Sequence, residues 1–417
     1  MTEEIVRHAV EGESLMQDFA AICNTGGRFA GTDSEGKARE YLSNRLEEAT
    51  GIAPKHARVD YLGWSRGDAV LERLGDAGGS HPCVSLVRSP STPAGGLIAE
   101  LIDLGRGTEQ DFAAYAAEIK GRIVLVRHEY MFAAGSIHRR RKYQWAMDHG
   151  AVGFLIACHL PGSGPVTGSS GATPERGIPA AGISAETADA LTADGPNKIR
   201  LKIEANEAPR QTANLILDLP GAAPEWVVLS AHIDGHHLAE SALDNATGLA
   251  AALSVAEAMA PNMERLTRGL RIALFTVEEW ALAGSKEYVD GLSEVERSAI
   301  KLNLNLDTIA GSPYLTALTS EFPKLEEWLL AHAREHAHAL GAHRPTMANS
   351  DHYNFAQAGI PAARLVAGFD EPESDIKYLL TPHDTHDKVK VDDLRRATGL
   401  TAALVFEACQ ASELELR

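Results

Sequence analysis

Runs of apolar residues divide the second half of the chain into alternating strands and helices. Short apolar runs, of the length and composition of buried strands, lie at 226–230, 270–276, 301–306 and 360–366. Longer segments with apolar residues at helical spacing lie at 245–260, 322–340 and 391–409. Strands that alternate with helices predict βαβ units. We therefore expect an α/β fold, a three-layer sandwich in which helices flank a mostly parallel central sheet.

The first half of the chain has a different pattern. Residues 12–50 combine charged residues with apolar residues three and four apart, which predicts helix over much of this segment. A segment rich in Gly, Ser and Pro follows at 75–96, and strand-like runs separated by glycine-containing loops continue to about residue 203. We therefore predict a discontinuous main domain of residues 1–80 and 208–417, into which a β-rich domain of residues 81–207 is inserted.

Charge and cysteine content exclude several classes of protein. The formal net charge of −18 disfavours binding to nucleic acid or to anionic membrane surfaces. No apolar run approaches the roughly 20 residues that a membrane span needs, and the N-terminus lacks the pattern of a secretory signal. The four cysteines are scattered without a C-x-x-C pair, which predicts reduced thiols. We expect a cytoplasmic protein, and the sequence leaves open whether it forms a homo-oligomer.

Histidine and carboxylate side chains follow the predicted strands of the second half. They are His232, Asp234, Asp244, Glu278, Glu279 and Asp307. Because ligands bind at the carboxyl ends of parallel strands, these side chains are expected to lie together. Imidazole with carboxylate suits Zn²⁺, and less selectively Mn²⁺ or Co²⁺. A carboxylate shared between two ions about 3.5–4 Å apart is typical of hydrolytic metal sites.

The motifs that contain these residues resemble those of a known family, the zinc-dependent exopeptidases that include bacterial aminopeptidases and glutamate carboxypeptidases. The similar motifs are Ala231-His-Ile-Asp234, Leu243-Asp-Asn-Ala-Thr-Gly248, Glu278-Glu279, Leu306-Asp307 and Ser350-Asp-His-Tyr353. The inserted region resembles a protease-associated domain at Gly121-Arg-Ile-Val-Leu-Val126 and Gly150-Ala-Val-Gly153. The resemblance covers nearly the whole chain.

The resemblance implies a ligand set for two metal ions. His232 and Asp307 would hold one ion, and Glu279 would hold the other. Asp244 would bridge the two ions. We therefore expect a zinc-containing site with Mn²⁺ or Co²⁺ as substitutes.

The resemblance also implies how protons are handled. Glu278 would be the general base that takes a proton from a metal-bound water, and Asp234 would hydrogen-bond the far ring nitrogen of His232. The expected activity is that of an exopeptidase or amide hydrolase acting on a peptide or small amide, most specifically an aminopeptidase. The alternatives are a carboxypeptidase, an N-acyl deacylase, or a receptor-like binding protein without catalytic activity.

One family ligand is missing from the sequence. The family has a histidine four residues before the aspartate of an H-T-x-x-D-T motif, and this chain has Leu380 at that position. His383 is the first candidate for a substitute because it belongs to the same loop. His386 and His352 are the next candidates. Two further histidines, His236 and His237, lie between the first two ligands, within reach of the same site. Without a substitute, we expect one tightly bound ion and a second, weaker one.

Overall fold

A computed structural model of the protein describes residues 1–75, 78–193, 195, 197–280 and 282–417. In these residues the chain forms two compact units. The main domain consists of Met1–Tyr61, Gln211–Leu379 and Asp384–Arg417, and the inserted domain consists of Leu62–Arg210 together with Leu380–His383.

The described residues form the following helices and strands. The helices are α1 Thr2–Glu11, α2 Ser14–Cys23, α3 Asp33–Thr50, α4 Glu109–Ala114, α5 Ala116–Ile119, α6 Arg139–Asp148, α7 Ala185–Thr192, α8 Thr247–Met259, α9 Ala283–Asp290, α10 Glu294–Ala299, α11 Pro323–Glu335, α12 His352–Gln357 and α13 Val391–Gln410. The strands are β1 Lys55–Arg73, β2 Gly79–His81, β3 Val84–Ser85, β4 Leu97–Asp103, β5 Ile123–Arg127, β6 Gly153–Ala157, β7 Ala180–Ile183, β8 Lys198–Leu219, β9 Ala223–His232, β10 Arg268–Phe275, β11 Ile300–Leu306, β12 Leu315–Leu318, β13 Leu340–His343 and β14 Ala362–Ala367. None of the described helices is long and apolar enough to cross a bilayer.

The sheet of the main domain is parallel at its centre. Its strands are ordered β13-β12-β14-β11-β9-β10-β8. Strand β9 pairs in parallel with both β10 and β11, and β11 pairs in parallel with β14. Strand β8 runs antiparallel to β10, and β12 runs antiparallel to β14. The predicted α/β fold with a mostly parallel sheet is therefore confirmed.

Helices cover both faces of this sheet. Side chains of alternate strand positions, such as Val228 and Phe275, form an apolar cluster with Val289 of α9 and Phe355 of α12. Helices α8 and α13 also contact β9. Because successive strand residues point to opposite faces, Val227 and Leu229 lie on the face opposite Val228. The domain is the expected three-layer sandwich, and its apolar strands are buried on both faces.

The inserted domain is a smaller α/β unit. Strands β4, β5, β6 and β7 are parallel neighbours, and β3 runs antiparallel to β7. Their side chains pack around Leu125 and Leu155, and the domain also contains helices α4 to α7. The observed domain runs from Leu62 to Arg210, whereas the predicted one covered 81–207. The difference arises because the boundaries lie inside the long strands β1 and β8, where no Gly- or Pro-rich segment marks them.

Candidate metal centre

The candidate ligands of the main domain lie at the carboxyl ends of three parallel strands. His232 is the last residue of β9, and it pairs with Phe275, the last residue of β10. Asp307 directly follows β11. Glu278 follows β10 after a short connection. The parallel alignment of β10, β9 and β11 thus brings side chains from distant parts of the sequence to one edge of the sheet.

One imidazole and two carboxylates form a first group. The Nε2 atom of His232 lies 3.0 Å from Asp244 Oδ1 and 3.4 Å from Asp307 Oδ1. One ligand atom from each of the three residues lies within 4.8 Å of the other two. Burial opposes charging of the imidazole, but Glu278 and Asp307 outweigh burial and raise the pKa of His232 well above its ordinary value. This donor set fits a zinc ion, which would replace the proton as the cation between the carboxylates.

Asn245 fixes the position of Asp244. Its Nδ2 atom donates a hydrogen bond to Leu306 O (2.8 Å), and its Oδ1 atom accepts one from the Gly248 N–H (3.0 Å). The amide therefore caps helix α8 and ties that helix to the end of β11. A Cβ atom at Gly248 would lie 2.5 Å from Leu306 O, so only glycine permits this approach. The result is that Asp244 stands beside Asp307.

Asp234 supports the two glutamates rather than the imidazole. Its carboxylate accepts backbone hydrogen bonds from Glu278 N (3.0 Å) and Glu279 N (3.3 Å). His232 Nδ1 lies 2.9 Å from the backbone carbonyl oxygen of Asp234 and 4.0 Å from its carboxylate. The expected bond from the Asp234 carboxylate to His232 is therefore not observed. The carboxylate instead accepts hydrogen bonds from two backbone N–H groups in the segment that follows β10.

The carboxyl groups of this site are deeply buried. Burial raises the pKa of Glu278 well above its ordinary value, and the nearby Glu279 and Asp307 raise it further. Burial also raises the pKa of Asp234 to about 6. A carboxyl group whose pKa lies closer to neutrality is suited to exchange protons during catalysis.

A buried arginine holds Asp307. The Arg364 side chain projects from β14, and its Nη2 atom lies 3.2 Å from Asp307 Oδ2. Arg364 Nη1 also donates to Asn349 O (3.0 Å). Burial acts in the opposite direction, but Arg364 and His232 hold the pKa of Asp307 well below its usual range. Arg364 thus keeps Asp307 charged and oriented. The role of Arg364 was not predicted from the sequence, although an arginine within an apolar strand is a signal of a buried partner.

A second group lies beside the first. One ligand atom each of His236, Asp244 and Glu279 lies within 4.8 Å of the other two, so Asp244 belongs to both groups. His236 Nε2 lies 3.9 Å from Asp384 Oδ2, and Asp384 Oδ1 accepts the Leu243 N–H (2.7 Å). Burial and the neighbouring Asp244 raise the pKa of Asp384 to about 8. A carboxylate common to two ligand groups is the arrangement that a two-ion site requires.

The other candidate histidines do not join either group. His383 belongs to the inserted domain, where its Nε2 atom lies 3.4 Å from Gly162 O. The exposed ring of His386 contacts the carboxylate of Glu240 at 2.9 Å. His352 is buried at the start of α12, and burial lowers its pKa to about 3. Among the described residues, His236 is thus the histidine that accompanies the second group.

Comparisons with known proteins agree with this geometry. Residues 214–405 match the model of Peptidase family M28, and residues 85–191 match the model of the PA domain. Residues 214–405 thus belong to peptidase family M28, and residues 85–191 form a PA domain. This confirms the resemblance inferred from the motifs, and the matched part of the main domain is a peptidase domain.

Individual relatives of this chain are aminopeptidases by name. Aminopeptidase YwaD of Bacillus subtilis (strain 168) is 27% identical over 392 residues, which cover 92% of this chain and 81% of the relative. Leucine aminopeptidase 2 of Trichophyton equinum is 29% identical over 312 residues, and the match spans 74% of this chain but only 59% of the relative.

Solved structures share the architecture. The structure of BSAP, a zinc aminopeptidase from Bacillus subtilis, matches with a TM-score of 0.76 at 26% identity and covers 99% of this chain and 97% of that one. The Peptidase M28 precursor from Shewanella amazonensis SB2B matches with a TM-score of 0.82 and covers 100% of this chain and 97% of that one. At 22% identity, the second likeness shows the fold alone.

We expect Asp234→Ala to lower kcat and to weaken one of two bound ions by roughly 10–100-fold, as for other residues that orient a ligand. The substitution frees the Glu278 and Glu279 N–H groups, whereas His232 keeps the backbone carbonyl as its partner. Zinc bound per chain, measured over a series of chelator-buffered free zinc concentrations, checks this. Asp234→Asn retains an acceptor oxygen and should lose less. Equal weakening of both ions would contradict this role.

We expect Arg364→Met to destabilise the metal-free protein by about 3–5 kcal/mol, because it leaves the buried Asp307 carboxylate without its cation. Saturating zinc should restore part of the loss, since the ion supplies positive charge at Asp307. Urea unfolding with and without zinc measures both effects. The matched control is Arg344→Met, which removes an exposed partner of Glu326 and should cost less than about 1 kcal/mol. Equal losses in the two variants would exclude a special role for Arg364.

Proposed function

We propose that this chain is a zinc-dependent aminopeptidase. The observation that carries the proposal is the pair of imidazole–carboxylate groups that share Asp244 beside the buried Glu278. Two such groups with a common carboxylate suit hydrolysis of an amide bond. The names of the relatives, aminopeptidase and leucine aminopeptidase, support this choice within the family.

Different residues of the main domain would bind the two metal ions. His232 and Asp307 would hold one ion, Glu279 would hold the other, and Asp244 would serve both. The donor atoms also suit Mn²⁺ or Co²⁺ as substitutes. Divalent ions at these groups would supply Lewis-acid polarisation of the scissile carbonyl and would lower the pKa of water.

Glu278 is the residue that moves the proton. Its raised pKa lets the carboxylate accept a proton from the attacking water and return it to the leaving amine. The hydrogen bond from its backbone N–H to Asp234 fixes its position after β10. Glu279 comes next in the chain and also donates its N–H to Asp234, so one anchor orients the base and a ligand together.

The charges around the site favour a substrate with a free amino group. The buried guanidinium of Arg28 donates to backbone carbonyls of Ile233, Glu240 and Ser241. Arg364 is held by Asp307. Arg28 and Arg364 are thus engaged by the protein, while Asp234, Asp244, Asp307, Glu278 and Glu279 place several carboxyl groups at the site. A positively charged N-terminus complements this environment better than a C-terminal carboxylate does.

A cytoplasmic location is also part of the proposal. The observation in its favour is that Cys23, Cys83, Cys158 and Cys409 are all free thiols. Unpaired cysteines are typical of reducing compartments. Cell fractionation would test the location independently of activity.

A substrate screen tests the activity. The zinc-loaded protein should hydrolyse aminoacyl anilides and short peptides from the amino end, and N-acetylation of the same substrates should abolish turnover. We expect Glu278→Gln to lower kcat by about 10²–10⁴-fold at unchanged zinc content, because glutamine has the shape of glutamate but cannot accept the proton. Glu415→Gln, an isosteric change at an exposed site, is the matched control.

The screen also decides between the alternatives. Preferential cleavage of N-acetylated substrates would replace the aminopeptidase with a deacylase, and release of C-terminal residues would replace it with a carboxypeptidase. Zinc binding without turnover of any of these substrates would favour a non-catalytic protein. Near-normal kcat in Glu278→Gln would overturn the assignment of the base.

A further inference from the structure

Leu380, which occupies the position of the missing family ligand, belongs to the inserted domain. Leu380 is buried, and its carbonyl oxygen accepts a hydrogen bond from the Thr167 N–H (2.8 Å) within the inserted domain. His383, the first substitute considered from the sequence, lies in the same short segment and approaches Gly162 O. The segment 380–383 therefore has a packing role within the inserted domain.

A different residue brings an imidazole to the second group. His236 is 1% exposed, and one of its ring nitrogens lies within 4.8 Å of carboxylate oxygens of both Asp244 and Glu279. We infer that His236 is the imidazole ligand of the second metal ion in this chain and takes the place of the family histidine that Leu380 has replaced. This inference deepens the proposed function, because it rests on the same two-ion site.

The loop that carries His236 is fixed at several points. Ser241 Oγ accepts the His236 N–H (3.0 Å) and donates to His236 O (3.1 Å), which closes the loop upon itself. A Cβ atom at Gly235 would lie 2.6 Å from Ser241 Oγ, so the residue before His236 has to be glycine for this closure. The imidazole therefore extends from a loop whose backbone is already held.

Arg28 fixes both ends of the same loop. Its guanidinium donates to Ile233 O (2.9 Å) at the start of the loop, and to Glu240 O (2.7 Å) and Ser241 O (2.6 Å) at its end. These bonds are internal to the main domain, and they hold His236 within reach of the ligand group. Ligands held in place before the ion binds lower the cost of ordering the site.

Asp384 lies near the His236 ring. Its Oδ2 atom lies 3.9 Å from His236 Nε2, and its Oδ1 atom accepts the Leu243 N–H next to Asp244. Asp384, which belongs to the family motif, thus lies between the His236 ring and the residue that precedes Asp244.

The neighbouring histidine does not compete for this role. His237 is exposed, and its ring packs edge-on against Phe29 at a centroid distance of 5.7 Å. Each of the two ligand groups thus contains one imidazole, from His232 and from His236. The expectation of one tight and one weak ion followed from Leu380 alone. With His236 as a ligand, two ions should bind with comparable affinity.

Metal-binding titrations of the full-length protein test the inference. Wild type, His236→Ala, His236→Asn and His383→Ala are equilibrated at a series of chelator-buffered free zinc concentrations, and zinc per chain is measured by elemental analysis. Wild type and His383→Ala should bind two ions over the same range. Both His236 variants should bind one ion there and require at least about 100-fold more free zinc for the second, since loss of a ligand exceeds the loss of an orienting partner.

A second measurement uses the unaltered protein, in case the variants do not fold. Crystals of zinc-loaded wild type should show an anomalous peak bonded to the His236 ring. The inference is overturned if this peak is absent, if the His236 variants keep both ions at wild-type concentrations, or if His383→Ala loses an ion. If the His236 variants lose one ion while wild type hydrolyses no substrate, the ligand assignment stands and the proposed function fails.

Discussion

The burial of several carboxylates at one edge of the parallel sheet is the constraint on which the metal centre depends. Glu278, Glu279 and Asp307 are each at most 8% exposed, and Asp244 lies among them. Buried negative charges are costly unless cations and hydrogen bonds compensate them. Arg364 compensates Asp307, and His232 and His236 accompany the shared Asp244. A divalent cation such as zinc would compensate the rest of this charge, and stability and chemistry would then depend on the same bound metal.

The sequence predicted the parts of this site that follow directly from strand order. His232 and Asp307 stand at the ends of β9 and β11, and parallel pairing fixes where strand ends meet. The sheet was predictable for the same reason, because its strands are short apolar runs between helices. Strands β12 and β13 were missed. Strand β12 has only the four residues Leu315–Leu318, and β13, Leu340–His343, is partly exposed and directly follows a segment with helical spacing.

The remaining parts depend on the conformations of loops, which residue spacing does not encode. Arg28 comes from the N-terminal region, yet it binds the loop that carries His236. Sequence motifs also cannot distinguish a backbone partner from a side-chain partner. His232 therefore has the Asp234 carbonyl as its partner, while the carboxylate of the same residue supports Glu278. His383 was the first candidate for the missing ligand because it is close to Leu380 in the sequence, and the sequence does not show which histidine is close to the site in space.

Two bound metal ions are expected to compensate the charge of one buried carboxylate cluster. The free energy of unfolding, measured as a function of free zinc concentration, tests this expectation most directly. Ions that bind only the folded chain add about 1.4 kcal/mol each to the free energy of unfolding per tenfold rise in free zinc, once zinc exceeds both dissociation constants. Two ions therefore predict a slope of about 2.7 kcal/mol per tenfold rise, measured by urea unfolding in zinc buffers. A slope of about 1.4 kcal/mol, or stability independent of zinc, would contradict the account.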